Sequence, residues 1–222
     1  MRRVRAHGLE WVDVPGTDAH VGTRGHEEWL WAVLCAQCPW DGVFVNVGAH
    51  VGLWALRMTA KCARVIAFEP CPVTRGYLLE NIAHNGASNI EVRPVGLGSA
   101  SEVRHLSAGS YEGPDLFYSR GHIDGPGGGW DVKLNTADQE LAGLPRIDLM
   151  LLDCEGWEAE VLRGAQEVLM RLRPRLIIES HAVLGTDERL LDETLRLLEG
   201  AAYDHSRIAV DHPQAYVHAW PR

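Results

Sequence analysis

The chain has 222 residues, 46% of them hydrophobic and 23% charged, which fits one large soluble α/β domain. Its formal charge of −9 argues against a broad nucleic-acid-binding surface; the basic start Met1-Arg2-Arg3-Val4-Arg5 is short enough to be a solvated end. Glu10 and Asp13 break up the start too early for a signal peptide, and the longest uncharged stretch, Gly42 to Leu56, is too rich in glycine and polar residues to span a membrane.

Cysteines 35, 38, 62, 71 and 154 are scattered and odd in number, which suits a reducing cytoplasm better than a disulfide framework. Cys35-Ala-Gln-Cys38 has the spacing of a redox or zinc pair. It lies in the apolar run Trp29 to Trp40 with no second pair, so core cysteines are expected. The 11 histidines form no H-x-x-x-H set and most read as surface residues; a divalent metal held by Asp153, Glu155 and Glu179 is conceivable, but no compact metal motif supports it, so no metal ligand is assigned.

In chain order, a short strand is predicted at Leu9 to Val14, turn residues from Pro15 to Gly25, and a helix from Glu27 to Cys38 closed by Pro39-Trp40-Asp41-Gly42. A strand at Val43 to Val47 breaks into a glycine turn and a helix, Val51 to Ala60. The next strand, Arg64 to Phe68, stops at Glu69-Pro70, because Pro70 cannot donate to a ladder. A helix from Pro72 to His84 with Asn85-Gly86 as its stop precedes a third strand, Ile90 to Val95.

Gly96 to Gly129 reads as irregular, with short alternating pieces at Val103 to Leu106 and Leu116 to Tyr118; it is either a substrate-covering loop or a solvated insertion. Regular pieces resume at Trp130 to Leu134 and Thr136 to Leu141. The apolar strand Asp148 to Leu152 runs into Asp153-Cys154-Glu155-Gly156 and one long helix, Trp157 to Leu172. A strand at Leu176 to Ile178 ends in Glu179-Ser180-His181. A helix, Asp187 to Leu198, and a final hairpin, Arg207 to Val210 with Tyr216 to Ala219, complete the order. This pattern describes a Rossmann-like, doubly wound, mostly parallel sheet with an antiparallel edge hairpin. A single domain over 1–222 is expected: an N-terminal segment and helix (1–42), a cofactor-binding half (43–95), an insertion able to carry a substrate loop (96–135), and a C-terminal half (136–222).

The unit strand–glycine turn–helix–strand–acid is how a parallel sheet holds the adenosine end of a cofactor. Gly48 and Gly52 let the backbone approach a ligand, and Glu69 can accept both hydroxyls of a ribose. A dinucleotide turn places a middle glycine to make room for a pyrophosphate, whereas Asn46 and His50 are not glycine. S-adenosylmethionine, which has no phosphate and a zwitterionic tail, is therefore favoured over a nicotinamide cofactor. The expected cofactor contacts are Asn46, Gly48, Ala49, His50, Gly52, Glu69 and Pro70, the strand end Val95, Gly96 and Leu97, and Asp153.

Several blocks in order make the chain resemble the FkbM family of S-adenosylmethionine-dependent methyltransferases. They are N-V-G-A-H-V-G (46–52), V-I-A-F-E-P (65–70), L-L-E-N-I-A-H-N (78–85), P-V-G-L-G (94–98), I-D-L-M-L-L-D-C-E-G-W-E-A-E-V-L-R-G-A (147–165) and P-R-L-I-I-E (174–179). The resemblance implies O-methylation of hydroxyls on sugars or natural products. The family usually has aspartate where this chain has Asn46, asparagine where it has His50, and commonly lysine where it has Leu151. Catalysis by such an enzyme needs positioning and a base for the acceptor; Asp153, Glu155, His50 and His181 are candidates, in no fixed order. Asp153 and Glu155 also suit the capping of the helix that follows. The acceptor is expected to be a small hydroxylated molecule, with nitrogen or RNA acceptors, a non-catalytic module of the same fold and an NAD-dependent oxidoreductase as the alternatives.

Overall fold

The computed structural model describes residues 3–12, 28–107, 123–125, 127–181, 188–208 and 215–222. A seven-stranded sheet is built from β3 (Val43–Val47), β4 (Arg64–Phe68), β5 (Ile90–Arg93), β9 (Leu149–Leu152), β10 (Arg175–Ser180), β11 (Tyr203–Ile208) and β12 (Ala215–Pro221). Its order is β11-β12-β10-β9-β3-β4-β5. The five strands from β10 to β5 run parallel, and β12 lies antiparallel to both β10 and β11. The expected doubly wound sheet and its antiparallel edge are therefore present.

Strand periodicity sorts the side chains onto two faces. Phe44, Val65, Ala67, Leu149, Leu151 and Ile177 pack with α1 (Glu28–Gln37), α2 (Leu53–Thr59) and α3 (Pro72–Asn85). On the other face Val45, Ile66, Met150, Leu152 and Ile178 pack with α5 (Glu158–Arg163), α6 (Gln166–Arg171) and α7 (Glu188–Gly200). Both faces of the central strands are thus covered, which is why they read as continuous apolar runs.

Four features differ from the sequence reading. Leu9–Val12 (β2) pairs with a strand that was not foreseen, β1 (Arg3–Ala6); the basic residues Arg3 and Arg5 sit on it and pair with Glu10. The expected helix over Trp157 to Leu172 is two helices, because Gly164 is pressed against the Gly98 carbonyl, where a Cβ would stand 2.0 Å from the oxygen. Asp138, just after the Thr136 N-cap of α4 (Ala137–Glu140), then caps the second helix by accepting the amides of Glu167 and Val168 at 3.0 and 2.8 Å. The stretch after residue 95 is more regular than expected: β6 (Gly96–Leu97), β7 (Glu102–Ser107) and β8 (Gly129–Asn135) form a separate three-stranded sheet. The piece at Leu116 to Tyr118 and the turn from Pro15 to Gly25 lie outside the described residues. Finally, Cys38 is buried as expected, its sulfur 3.5 Å from that of Cys62, whereas Cys35 is only half-buried. No described helix is long and apolar enough to cross a membrane.

Candidate active site

The chain leaves β3 toward β4 on one side and returns beside it as β9 on the other, so the carboxyl end of β3 is the topological switch point where such sheets bind ligands. There the backbone turns through Gly48, Ala49 and His50. The amides of Gly48 and Ala49 both donate to the Phe68 carbonyl, at 3.1 and 2.9 Å. The His50 amide donates to Glu69 Oε2 at 2.7 Å, and the Cys71 amide to Oε1 at 2.9 Å. The turn is thereby fastened to the tip of β4, with the Glu69 carboxylate as the knot.

Glu69 is buried, and burial raises its pKa above the ordinary carboxylate value, even though the Cys71 amide, the Thr74 hydroxyl, the His50 amide and the charge of Arg75 favour the anion. Each of its oxygens accepts one amide, the Thr74 hydroxyl takes a third of the roughly four lone-pair positions, and capacity for a further donor is left. Gly48 has φ of +81°, and a Cβ there would lie 1.8 Å from the carbonyl oxygen of Asp153. The protein's own backbone thus demands this glycine, a reason separate from the room for a ligand expected from the sequence. Asn81, missed in the sequence, braces the turn from behind by donating to the Val51 carbonyl at 2.9 Å and accepting the Val12 amide at 2.8 Å.

Asn46 is 1% exposed, and neither Oδ1 nor Nδ2 has a hydrogen-bond partner among the described residues. A buried amide left so costs about 1–3 kcal/mol and marks a place where a polar ligand would be welcome. Its register partner across the sheet is Leu151, which is wholly buried. A lysine ammonium at position 151 would meet a neutral amide in an apolar layer, so asparagine at 46 and leucine at 151 are physically consistent with each other. Val95 and Leu97 are buried, and Gly96 lies against Pro70, so the segment expected to edge an adenine adjoins another expected cofactor contact.

Across the switch point stands a group of acids around one imidazole. Glu158, buried, accepts the amides of Cys154 at 3.3 Å and Gly156 at 3.1 Å and faces His181 Nδ1 at 3.1 Å through the same oxygen. The loop it gathers holds Glu155 at φ of +53° and Gly156 at +95°, and the Glu155 carboxylate lies beside His181 Nε2. His181 Nε2 is 3.4 Å from Glu155, 3.6 Å from Glu179 and 3.7 Å from Asp153. Burial alone would lower the histidine's pKa, but the Glu158 bond and the charges of Asp153, Glu155 and Glu158 outweigh it and raise it to about 10.

The structure thus brings Asp153, Glu155 and His181 together, and places His50 with Glu69. His181 is buried, unlike the surface position expected of most histidines. Glu158 was legible only as one more acid of the D-x-E-G-x-E block. Trp157, read from the sequence as the start of the long helix, has a buried Nε1 with no hydrogen-bond partner among the described residues.

A mostly parallel sheet reversing at β3, with a buried acid closing its second strand, defines the Rossmann-like fold of class I methyltransferases. Residues 46–205 match the methyltransferase FkbM domain, and the chain belongs to that family of methyltransferases. It is 29% identical over 204 residues to methyltransferase sdnD of Sordaria araneosa, covering 78% of this chain and 77% of that one. It is 30% identical over 168 residues to the hexuronic acid methyltransferase AglP of Haloferax volcanii, covering 75% of this chain and 66% of AglP. A solved structure from Streptococcus mutans, SMU.1697c in complex with SAH, superposes with a TM-score of 0.54 over 89% of this chain and 97% of its own; at 10% identity this is a likeness of fold.

Proposed function

We propose that the protein transfers a methyl group from S-adenosylmethionine to a hydroxyl of a small molecule, a sugar or natural product. The observation that carries this reading is the pairing, across one switch point, of a buried carboxylate with acceptor capacity (Glu69) and a partly exposed one (Glu155) backed by His181. Glu69 would take the ribose hydroxyls. The partnerless amide of Asn46 suits the amino-acid end of the cofactor: its oxygen can accept from the ammonium and its nitrogen can donate to the carboxylate. Pro70, Gly96 and Leu97 would edge the adenine. Family membership and the SAH held by SMU.1697c support this cofactor, and the acceptor named for AglP supports a hydroxyl-rich substrate.

When bound, S-adenosylmethionine supplies an electrophilic methyl carbon on sulfur. What is left to the chain is to align the acceptor and to remove its proton. Both ring nitrogens of His181 face carboxylates, so with no cation bound the imidazole donates on each side and is not the group that takes the acceptor's proton. Glu155, 29% exposed and 3.4 Å from His181 Nε2, is the group best placed to accept the hydroxyl proton, and His181 steadies its charge. Glu158 acts as a positioning residue, holding both the loop and the ring.

The test is incubation with methyl-labelled S-adenosylmethionine and a panel of sugar acids, neutral sugars and hydroxylated natural products. Label should appear as an O-methyl group on one acceptor class and disappear with Glu155→Gln. Label on amines or RNA alone would overturn the hydroxyl assignment.

A further inference from the structure

Asp153, Glu179 and His181 stand on three neighbouring positions at the carboxyl ends of β9 and β10, and each offers one ligand atom, all within 4.8 Å of one another. We propose that they bind a divalent cation of the magnesium–manganese type, which displaces the proton of His181 Nε2 to solvent. No sequence motif announces the set, because 28 residues separate its first member from its last and only the parallel pairing of β9 with β10 unites them.

Three observations carry the assignment. The first is geometric. Nε2 of His181 is 3.7 Å from Asp153 Oδ1 and 3.6 Å from Glu179 Oε1. A point equidistant from three such atoms lies about 2.1–2.4 Å from each, against ordinary metal–oxygen and metal–imidazole bonds of about 2.0–2.2 Å. The second is charge. Among the described residues, four carboxylates, those of Asp153, Glu155, Glu158 and Glu179, face the His181 imidazole, and Glu158, Glu179 and His181 are nearly sealed from water. A compact divalent cation held by two of these carboxylates would offset part of their mutual repulsion. The third is the neighbouring strand. Asn46, on β3, shares a sheet face with Leu151 and hence with Asp153 two residues on, and its buried amide has no partner among the described residues. An amide oxygen there can accept from a water held by the ion.

The donor types agree. Two carboxylates and one imidazole leave roughly half of an octahedral shell for water or substrate oxygen, a composition suited to hard divalent ions. Glu158 at Nδ1 is the kind of outer partner that orients a ligating histidine through its other nitrogen. Asp153 is 29% exposed and gives the ion a way in. The use of such an ion, to hold the acceptor hydroxyl, rests on the methyl-transfer reading; its binding does not.

Manganese titration of the full chain, followed by the electron paramagnetic resonance signal of free ion without any cofactor, tests this. One ion per chain should bind, magnesium should compete, and Asp153→Asn should weaken binding at least tenfold. Thermal melts separate misfolding from lost binding: manganese should raise the Tm of the parent chain and not that of the folded variant. Equal binding by parent and Asp153→Asn, or none by either, would overturn the site. SAH titrated into metal-free protein keeps the two ideas apart: SAH binding without manganese binding would sink the ion alone, and the reverse would sink the cofactor reading alone.

Discussion

Replacing Glu69 by alanine separates what this carboxylate does for the fold from what it does for the cofactor. In the free protein its oxygens accept the His50 amide at 2.7 Å and the Cys71 amide at 2.9 Å, both in buried surroundings. Truncation orphans two donors at about 1–3 kcal/mol each, so the variant should lose about 2–6 kcal/mol of stability in urea unfolding. Ribose hydroxyls donating to the same carboxylate add charged hydrogen bonds of about 1.5–3 kcal/mol apiece, so SAH affinity should fall roughly 10- to 150-fold per hydroxyl lost. Calorimetric titration with SAH, performed where the melting curve shows the variant still folded, reads the second quantity. Glu69→Gln, which keeps the shape and one acceptor oxygen, serves if the alanine variant is too unstable. Folded variants that bind SAH as tightly as the parent would refute the ribose assignment.

Further outcomes follow from the same contacts. Glu155→Gln should leave the melting temperature and SAH affinity nearly unchanged while lowering kcat/KM by about 10²–10⁴, the usual yield of a positioned base; an unaltered rate would remove it from the chemistry. Glu69 also sets a pH dependence. Its folded pKa is raised, so the stability it contributes is full below the ordinary carboxylate range and is lost as pH rises through the folded value. SAH affinity should run the opposite way over that window, because the anion receives the ribose, and the parent-minus-variant difference in both quantities isolates the effect. Asn46→Asp alone should destabilise the free protein by about 3–5 kcal/mol, as an unpaired buried charge does. Adding Leu151→Lys should recover part of that, with a coupling of about 0.5–3 kcal/mol in a double-mutant cycle of urea midpoints; strict additivity would show that the register partners do not interact. Gly48→Ala should fail to accumulate as folded protein in a solubility and circular dichroism comparison, since the obstacle 1.8 Å from the new Cβ is backbone.

Local signals in the sequence carry a good part of this. The glycine turn after Val47 and the acid after Phe68 are written within 24 residues, and both end where a parallel strand must stop, so Glu69 and the turn could be placed before any coordinates. The helix at Pro72–Asn85, with Gly86 in the left-handed cap, is equally legible from its proline start and Asn-Gly stop. What could not be read is whatever tertiary contact decides. Gly164 looks like a tolerable glycine in one long amphipathic helix, and only the Gly98 backbone against it explains the break. The convergence of Glu158, Glu179 and Asp153 on His181 depends on strand pairing and on a left-handed Glu155, neither of which leaves a periodic trace. Asn81 and Asn85 occupy helical positions indistinguishable from surface polar residues, yet they tie the N-terminal hairpin to the body of the fold.

A crystal structure of the protein with SAH tests the central claim most directly. The ribose hydroxyls should lie within hydrogen-bonding distance of Glu69, the amino-acid tail should engage the Asn46 amide, and the sulfur should face the Asp153–Glu155 side of the crevice. A nucleoside seated away from Glu69, or crystals that take up none at saturating concentration, would contradict it.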